Sequence, residues 1–251
     1  MESLQKKNKQ EIISQLRKEI LHLEGFKPVE SRLAAGFGLG DLEHSFPNKI
    51  FPIGAIHEFL CAEKEQAAAS GGFISGLLAK LMKNNGTCIW ISSSRLLFPP
   101  ALKIFGVAPD KIIFIDLKTE KDILWATEEA LKCNGLQAVV TELKELNFAQ
   151  SRRLQLAVEK SKVTGFVLRS DESKICPTAC LARWRISSLP SITENGMPGV
   201  GYPNWQVELL KVKNGQTGIW QIEWSATGFK PLRKQIPSVL LHQNNHLKTG
   251  S

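Results

Sequence analysis

The residues between Glu58 and Leu78, EFLCAEKEQAAASGGFISGLL, have the pattern of a buried strand, a connection of small residues and a helix. Many α/β proteins bind phosphate at such a connection, through the motif G-x-x-x-x-G-K-[ST]. The backbone N–H groups of this motif surround the phosphates, its lysine neutralises them, and its hydroxyl group holds magnesium. Here the only lysine, Lys64, is followed by Glu65, and no Gly-Lys-Ser/Thr is present. We therefore predict a strand, a connection and a helix without the phosphate chemistry.

The segment that would meet a nucleotide combines acidic and small side chains. It consists of Cys61, Ala62, Glu63, Lys64, Glu65, Gln66, three alanines, Ser70, Gly71 and Gly72. Two like charges ~4 Å apart repel each other by about 4 kcal/mol at an effective dielectric constant of 20, so Glu63 and Glu65 disfavour a triphosphate. The small residues that follow are interpreted as the start of a helix packed closely on a sheet. We expect no nucleotide cofactor and no catalytic residue in this segment.

Length and composition are those of an ordinary globular protein. The chain has 251 residues, of which 43% are apolar and 22% are charged, and this suffices for a substantial core in one large or two small domains. It has no run of about 20 apolar residues, and its N-terminus lacks the apolar region of a secretory signal. We therefore expect a cytoplasmic protein with no membrane partner. The net charge of +8 favours an acidic partner such as nucleic acid, although a solvated basic surface would give the same value.

Cysteine and histidine residues do not form a recognisable site in the sequence. The five cysteines include no C-x-x-C pair, and their odd number indicates reduced thiols rather than a disulfide framework. Cys176 and Cys180 are four positions apart without a nearby histidine, so we expect no metal site. The histidines are scattered along the chain, and His57 falls inside a predicted strand, where a core position is the simplest interpretation.

Three regions are predicted along the chain. Residues 10–24 place Ile12, Ile13, Leu16, Ile20 and Leu23 at spacings of three and four, which predicts a helix with one apolar stripe. The apolar stripe of this helix must be buried against the body or against a second chain. We divide the chain into an N-terminal helix (residues 1–24), a core domain (25–232) and a flexible C-terminal tail (233–251).

The core domain is predicted to be an α/β fold with a mainly parallel sheet flanked by helices. Five apolar runs, at residues 54–60, 87–92, 111–116, 136–142 and 164–169, are separated by segments with helical periodicity. One of these helices begins with Thr119 and Asp122 in the spacing of a capping box. After residue 180 the runs ARWRI, WQVELLKVK and IWQIEW follow each other with turns between them, which predicts antiparallel strands at the C-terminal side of the sheet.

This order of elements resembles the core of the RecA-type recombinases. GLGDLEHSFPNKIFPIGAIHEFL is similar to the recombinase segment that leads into the phosphate loop, and NNGTCIWIS and LLKVKNGQTG are similar to later strands. A closer resemblance is to the ImuA family, RecA-like accessory proteins of bacterial mutagenic translesion synthesis. The segments LFPPAL, KDILWATEEAL, SRRLQLA, TGFVLR, ARWRI and PGVGYPNWQVELLKVKNGQTGIWQIEW support this resemblance.

The ImuA resemblance implies a non-catalytic adaptor. It would join a Y-family polymerase-like protein and an error-prone replicative-type DNA polymerase during DNA-damage tolerance in the SOS response. The recombinase resemblance places Glu142 where the family has its magnesium-linked acid. It places Ser92–Ser94 where an ATPase has its catalytic carboxylate, so the catalytic base is missing. Without that base and the loop lysine, we interpret Glu142 as a vestigial ligand or as a solvated carboxylate at the end of a strand. A DNA-stimulated ATPase and an SOS-type cell-division inhibitor are the alternative functions.

Basic and aromatic residues are the candidate contacts for single-stranded DNA or for a partner protein. The basic candidates are Arg152, Arg153, Arg169, Arg183, Arg185, Lys211 and Lys213. Strand-end arginines near the carboxyl edge of the sheet could meet phosphates. Trp125 and Trp205 are candidate interface anchors, with core packing as the alternative. Self-association into a homo-oligomer stays open.

Overall fold

The fold is taken from a computed structural model. The structure describes Leu16 and residues 36–83, 85–94, 97–170, 176–191 and 201–232. The predicted tail (233–251) lies outside the described residues, as does the predicted N-terminal helix except for Leu16, which is helical.

Nine strands form one sheet whose first part is parallel and whose last part is antiparallel. The strands are β1 (Ile56–Leu60), β2 (Cys88–Ser92), β3 (Ile112–Asp116), β4 (Ala138–Leu143), β5 (Thr164–Arg169), β6 (Ala182–Leu189), β7 (Asn204–Val212), β8 (Gly218–Ser225) and β9 (Gly228–Pro231). Their order is β3-β2-β4-β5-β1-β6-β7-β8-β9. Neighbours from β3 to β6 run parallel, and the pairs from β6 to β9 run antiparallel. The predicted fold class is confirmed.

In the core that the structure describes, three α-helices cover the parallel part of the sheet, one on one face and two on the other. They are α1 (Lys64–Leu81), α2 (Glu120–Leu131) and α3 (Phe148–Ser161). Helix α1 shares a core with the aromatic side chains of the sheet, while α2 and α3 share a second core with its aliphatic side chains. The Thr119 hydroxyl accepts a hydrogen bond from the Asp122 N–H at the start of α2, as the spacing predicted. Within the described residues, none of the helices has the length and apolar character that crossing a bilayer requires.

His57 is part of the aromatic core, as its place in a strand suggested. It is fully buried and stacks on Phe51, with ring centroids 4.6 Å apart. Its Nε2 lies 2.8 Å from the Pro52 carbonyl oxygen, and the Trp184 indole donates to its Nδ1 over 3.3 Å. Burial lowers the pKa of His57 to about 4, although the Pro52 hydrogen bond opposes the shift. The ring is therefore neutral at neutral pH, and both of its nitrogens have partners.

Helix α1 lies close to the antiparallel strands because two of its three glycines face the aromatic side chains there. A Cβ atom on Gly76 would lie 2.5 Å from Phe229 and 2.8 Å from Trp224. A Cβ atom on Gly72 would lie 3.2 Å from Phe105 and 3.3 Å from Trp205. Real Cβ atoms do not approach as closely as the first pair, so Gly76 permits this helix–sheet distance.

Replacing Gly76 by alanine is expected to destabilise the protein by about 1–3 kcal/mol, because the added methyl group meets two buried rings. The matched control is Gly71→Ala in the same helix, where a Cβ atom would have no neighbour within 4 Å. That control should stabilise the protein by about 0.5–1 kcal/mol through helix propensity alone. Urea unfolding followed by tryptophan fluorescence measures both values. Similar effects of the two substitutions would contradict the packing argument.

Candidate functional site

The connection between β1 and α1 is short and lacks glycine. Strand β1 ends at Leu60 and α1 begins at Lys64, so only Cys61, Ala62 and Glu63 lie between them. The phosphate-binding motif needs six residues before its lysine, and counted back from Lys64 these positions begin at Glu58, inside β1. In this register, the residues that would form the loop belong to the end of β1 and to the connection of three residues.

The small residues expected at the start of the helix lie inside it instead. Ser70, Gly71 and Gly72 belong to the second and third turns of α1, and Ser70 and Gly71 are buried. The Cys61 thiol donates to the Ser70 hydroxyl over 3.3 Å, which ties the connection to the helix. The interpretation of these residues as the helix start is thus wrong, because Lys64, Glu65 and the alanines continue the helix toward the strand. Alanine and glutamate both favour helix, so this extension agrees with propensity.

Glu142 accepts a hydrogen bond from a tryptophan at the carboxyl edge of the sheet. The Trp90 indole N–H donates to Glu142 Oε1 over 2.8 Å. Burial raises the pKa of Glu142, the Trp90 hydrogen bond lowers it, and the nearby Asp116 raises it. Glu142 is thus not fully solvated. It also lies in no group of metal ligands, since the described residues contain no group of three or more histidine, cysteine or carboxylate side chains that could hold a metal.

A buried ion cluster joins β1 to both of its neighbouring strands. Glu58 is fully buried in β1, and its Oε1 lies 3.2 Å from Arg169 Nη1 on β5. Its Oε2 lies 2.8 Å from Arg183 Nε on β6 and accepts the Thr178 hydroxyl over 2.9 Å. Arg183 also donates to the Cys176 carbonyl oxygen over 2.7 Å. The carboxylate therefore has three donors in place of water, which is the condition for keeping a charge inside a protein.

The cluster also fixes the chain that enters β6. The Lys211 ammonium donates to the Thr178 carbonyl oxygen over 2.6 Å, and the Ala179 N–H donates to the Ser151 hydroxyl over 2.9 Å. The segment from Cys176 to Cys180 is thereby held against β7 and α3. Burial and, to a smaller extent, the charge of Glu58 raise the pKa of the Cys180 thiol to about 12, so this thiol stays protonated at neutral pH.

The basic candidate residues do not converge on one surface. Arg169 and Arg183 are buried against Glu58, and Lys211 is held by Thr178. The other candidates lie at or near the surface. Arg152 forms an ion pair with Glu159 at 3.5 Å, Arg153 forms one with Glu128, and Arg185 forms one with Glu208 at 3.6 Å, while Lys213 is exposed. Arg169 and Arg183 are thus inaccessible to DNA in this structure, because a buried carboxylate binds their guanidinium groups.

The two tryptophans that were candidate interface anchors differ in exposure. Trp125, on the outer face of α2, is 63% exposed, whereas Trp205 is 3% exposed and packs in the aromatic core. The prediction that Trp205 is a surface anchor is therefore wrong. Its place on β7 next to the alternating pattern of β8 could have indicated core packing.

Sequence reasoning missed the Glu58 cluster, although a signal for it was present. The run GAIHEFL places a carboxylate inside a buried parallel strand, and such a charge requires a cationic partner. The partners come from residues 111 and 125 positions further along the chain, so spacing could not identify them.

The sheet order, the three helices and the antiparallel extension define a RecA-like α/β protein. A crystal structure of the RadB recombinase is similar, with a TM-score of 0.52 and 14% identity, covering 79% of this chain and 99% of that chain. This similarity concerns the fold alone.

Sequence comparison then identifies the family. The "Protein ImuA" sequences of two Caulobacter vibrioides strains are 30% identical over 207 residues, which cover 78% of this chain and 85% of theirs. The chain belongs to the ImuA family. The "Cell division inhibitor SulA" of Serratia marcescens is 26% identical over 125 residues, covering 50% of this chain and 73% of that protein. No family model matches the chain.

Replacing Glu58 by glutamine should cost about 3–5 kcal/mol of unfolding free energy, because two buried guanidinium groups lose their countercharge. The matched control is Glu208→Gln, whose partner Arg185 is partly exposed, and we expect a loss below about 1 kcal/mol there. Chemical unfolding of both variants provides the measurement. Equal, small losses in the two variants would show that the cluster contributes nothing beyond a surface ion pair.

Proposed function

We propose that this protein is a non-catalytic RecA-like adaptor in DNA-damage-induced translesion synthesis. In this proposal it bridges a Y-family polymerase-like protein and an error-prone replicative-type DNA polymerase, the partners that the ImuA resemblance implies. The observation that carries the proposal is the connection of three residues between β1 and α1, which contains no glycine. A recombinase-like fold with a degenerate phosphate-binding loop favours a function of its surface over a function of its nucleotide pocket.

The electrostatics of the first turn of α1 support this proposal. A helix N-terminus attracts phosphate through its N–H groups and its dipole. Here the Ala62 N–H donates to Gln66 Oε1 over 2.9 Å, and the exposed Glu63 and Glu65 flank Lys64. The two carboxylates outweigh the single ammonium group, so a triphosphate would meet net negative charge at the place where the motif normally supplies positive charge.

Purified protein is expected to release no phosphate from ATP above the blank, with or without single-stranded DNA. The reason is that neither a phosphate loop nor a carboxylate after β2 is present to bind ATP and orient water. A sensitive phosphate-release assay provides the measurement, with a recombinase as the positive control. DNA-stimulated turnover that disappears in both Lys64→Ala and Glu142→Gln would contradict the proposal and favour an ATPase.

The adaptor role needs a surface for a protein partner, and α2 offers one exposed anchor. Trp125 has Lys121 one turn before it and Glu129 one turn after it on the exposed side of α2. An exposed tryptophan among charged side chains has the composition of a binding hot spot, because the ring supplies area and the rim excludes water. We assign this surface to the Y-family polymerase-like partner.

Capture of the polymerase-like partner should weaken at least about tenfold in Trp125→Ala, because hot-spot tryptophans contribute about 2 kcal/mol or more. The matched control is Ile219→Ala on β8, since Ile219 is 64% exposed and lies far from α2 in the strand order. Titration of the partner against immobilised protein measures both affinities. A third variant without residues 1–24 tests the predicted N-terminal helix as a second docking element. Unchanged capture by every variant would show that neither Trp125 nor residues 1–24 contribute to binding this partner.

A further inference from the structure

Strand β9 covers only part of the outer edge of β8. It lies opposite residues 222–225, whereas β8 begins at Gly218. Beside residues 218–220, the part of the chain that the structure describes supplies no further strand on this side. An open strand edge presents backbone N–H and C=O groups that pair with another extended segment. We refer to residues 218–220 as the open edge of β8.

The hydrogen bonds between β7 and β8 show which backbone groups lie at the open edge. The Trp224 N–H donates to the Pro203 carbonyl oxygen over 2.8 Å, so the backbone groups of Trp224 point toward β7. In an antiparallel pair this direction alternates from one residue to the next. The N–H and C=O groups of Ile219, at an odd spacing from Trp224, therefore point away from β7. The Ile219 side chain is also 64% exposed.

The chain reaches this edge in a register that can continue. The N–H of Leu232, which directly follows β9, donates to the Gln221 carbonyl oxygen over 2.9 Å. Residues from 233 onward lie outside the described part of the chain. An extended continuation in the same register would place Lys234 opposite Ile219. The N–H and carbonyl oxygen of Lys234 would then pair with the carbonyl oxygen and N–H of Ile219, so both open groups would have a partner.

The side chains that this register brings together are compatible. Arg233 would lie opposite Trp220, whose ring is partly buried against the aromatic core. A guanidinium group over an indole ring gains cation–π energy. Lys234 would lie beside the exposed Ile219, where the methylene groups of a lysine cover apolar surface while its ammonium group stays in water. Both contacts favour the continued register.

The sequence after Leu232 also limits the length of such a strand. Pro237 has no N–H for pairing, and proline is confined to the ends and edges of strands. The residue before a proline is biased toward extended conformations, which applies here to Ile236. The segment that can pair is therefore residues 233–236.

We propose that residues 233–236 continue β9 along the open edge of β8, so that the protein's own C-terminal segment covers this edge. The segment begins directly after the bonded Leu232, and its effective concentration at the edge therefore exceeds that of a second molecule. The flexible part of the predicted tail would then begin at Pro237 instead of at residue 233.

The proposal also determines where the rest of the tail leaves the body. Gly218 is opposite Leu209 on β7, and Leu209 is opposite Trp184 near the start of β6. Because β6 runs parallel to β1, this end of β8 lies toward the amino ends of the parallel strands, away from the β1–α1 connection. Residues 237–251, which contain no acidic residue, would start there. This placement does not depend on the adaptor role proposed above.

Two pairs of variants test the proposal. In the full chain, Lys234→Pro removes an N–H that would bond to Ile219, whereas its matched control Gln235→Pro removes one that would point away from β8. In the second pair, the chain ends at Leu232 or, as the control, at Pro237. Circular dichroism confirms that each variant is folded.

The measurement is hydrogen exchange of individual backbone amides, followed by NMR in the full chain and in the four variants. The Ile219 amide reports on the open edge. The Trp220 amide points toward β7 and serves as an internal reference. Recording the exchange at two protein concentrations separates a contact within one chain from a contact between two chains.

We expect the Ile219 amide to exchange at least about tenfold more slowly in the full chain than in the chain ending at Leu232, because the added strand protects it. Lys234→Pro should show the same loss, and both controls should stay within about threefold of the full chain. The Trp220 amide should change by less than about threefold throughout. Equal exchange of the Ile219 amide with and without residues 233–251 would overturn the proposal. Protection that increases with protein concentration would also overturn it, because a second copy would then cover the edge.

Discussion

The arrangement of the sheet depends on the ion pairs that the buried Glu58 carboxylate forms with Arg169 and Arg183. Glu58 lies in β1, at the centre of the strand order, and binds one arginine from β5 and one from β6. Strand β6 is also where parallel pairing gives way to antiparallel pairing. The same charge therefore connects the parallel half, with its crossover helices, to the hairpin half. Removing either arginine would leave Glu58 buried with fewer donors, so any pairing of β1 that separates it from Arg169 or Arg183 is penalised.

This constraint also determines which basic residues can reach the surface. Sequence spacing made Arg169 and Arg183 look like phosphate contacts, because both lie near strand ends. The structure turns both arginines inward, where they bind Glu58, and removing either of them would leave a buried carboxylate with fewer donors. The positive charge that remains exposed is mostly lysine.

Local patterns predicted the elements well, and long-range contacts explain the failures. The five apolar runs became β1 to β5 because each is a short buried stretch between helical periodicities. The start of α1 was misplaced because Ser70, Gly71 and Gly72 look like the start of a helix, whereas Gly72 lies inside the helix and leaves room for Phe105 and Trp205. Those rings come from segments that no local window includes. The same limitation hid the partners of Glu58, which lie more than 100 residues away in the chain.

The early start of α1 and the aromatic packing above it are two parts of one arrangement. The helix starts at Lys64, three residues after the end of β1. The glycines of α1 then let Phe105 stack on Trp205 at 6.2 Å, and the Trp224 indole donates to the Ile104 carbonyl oxygen over 3.1 Å. Aromatic side chains thus pack against the third and fourth turns of the helix. Changing this arrangement would require moving a packed aromatic core, which resists such change far more than an exposed loop does.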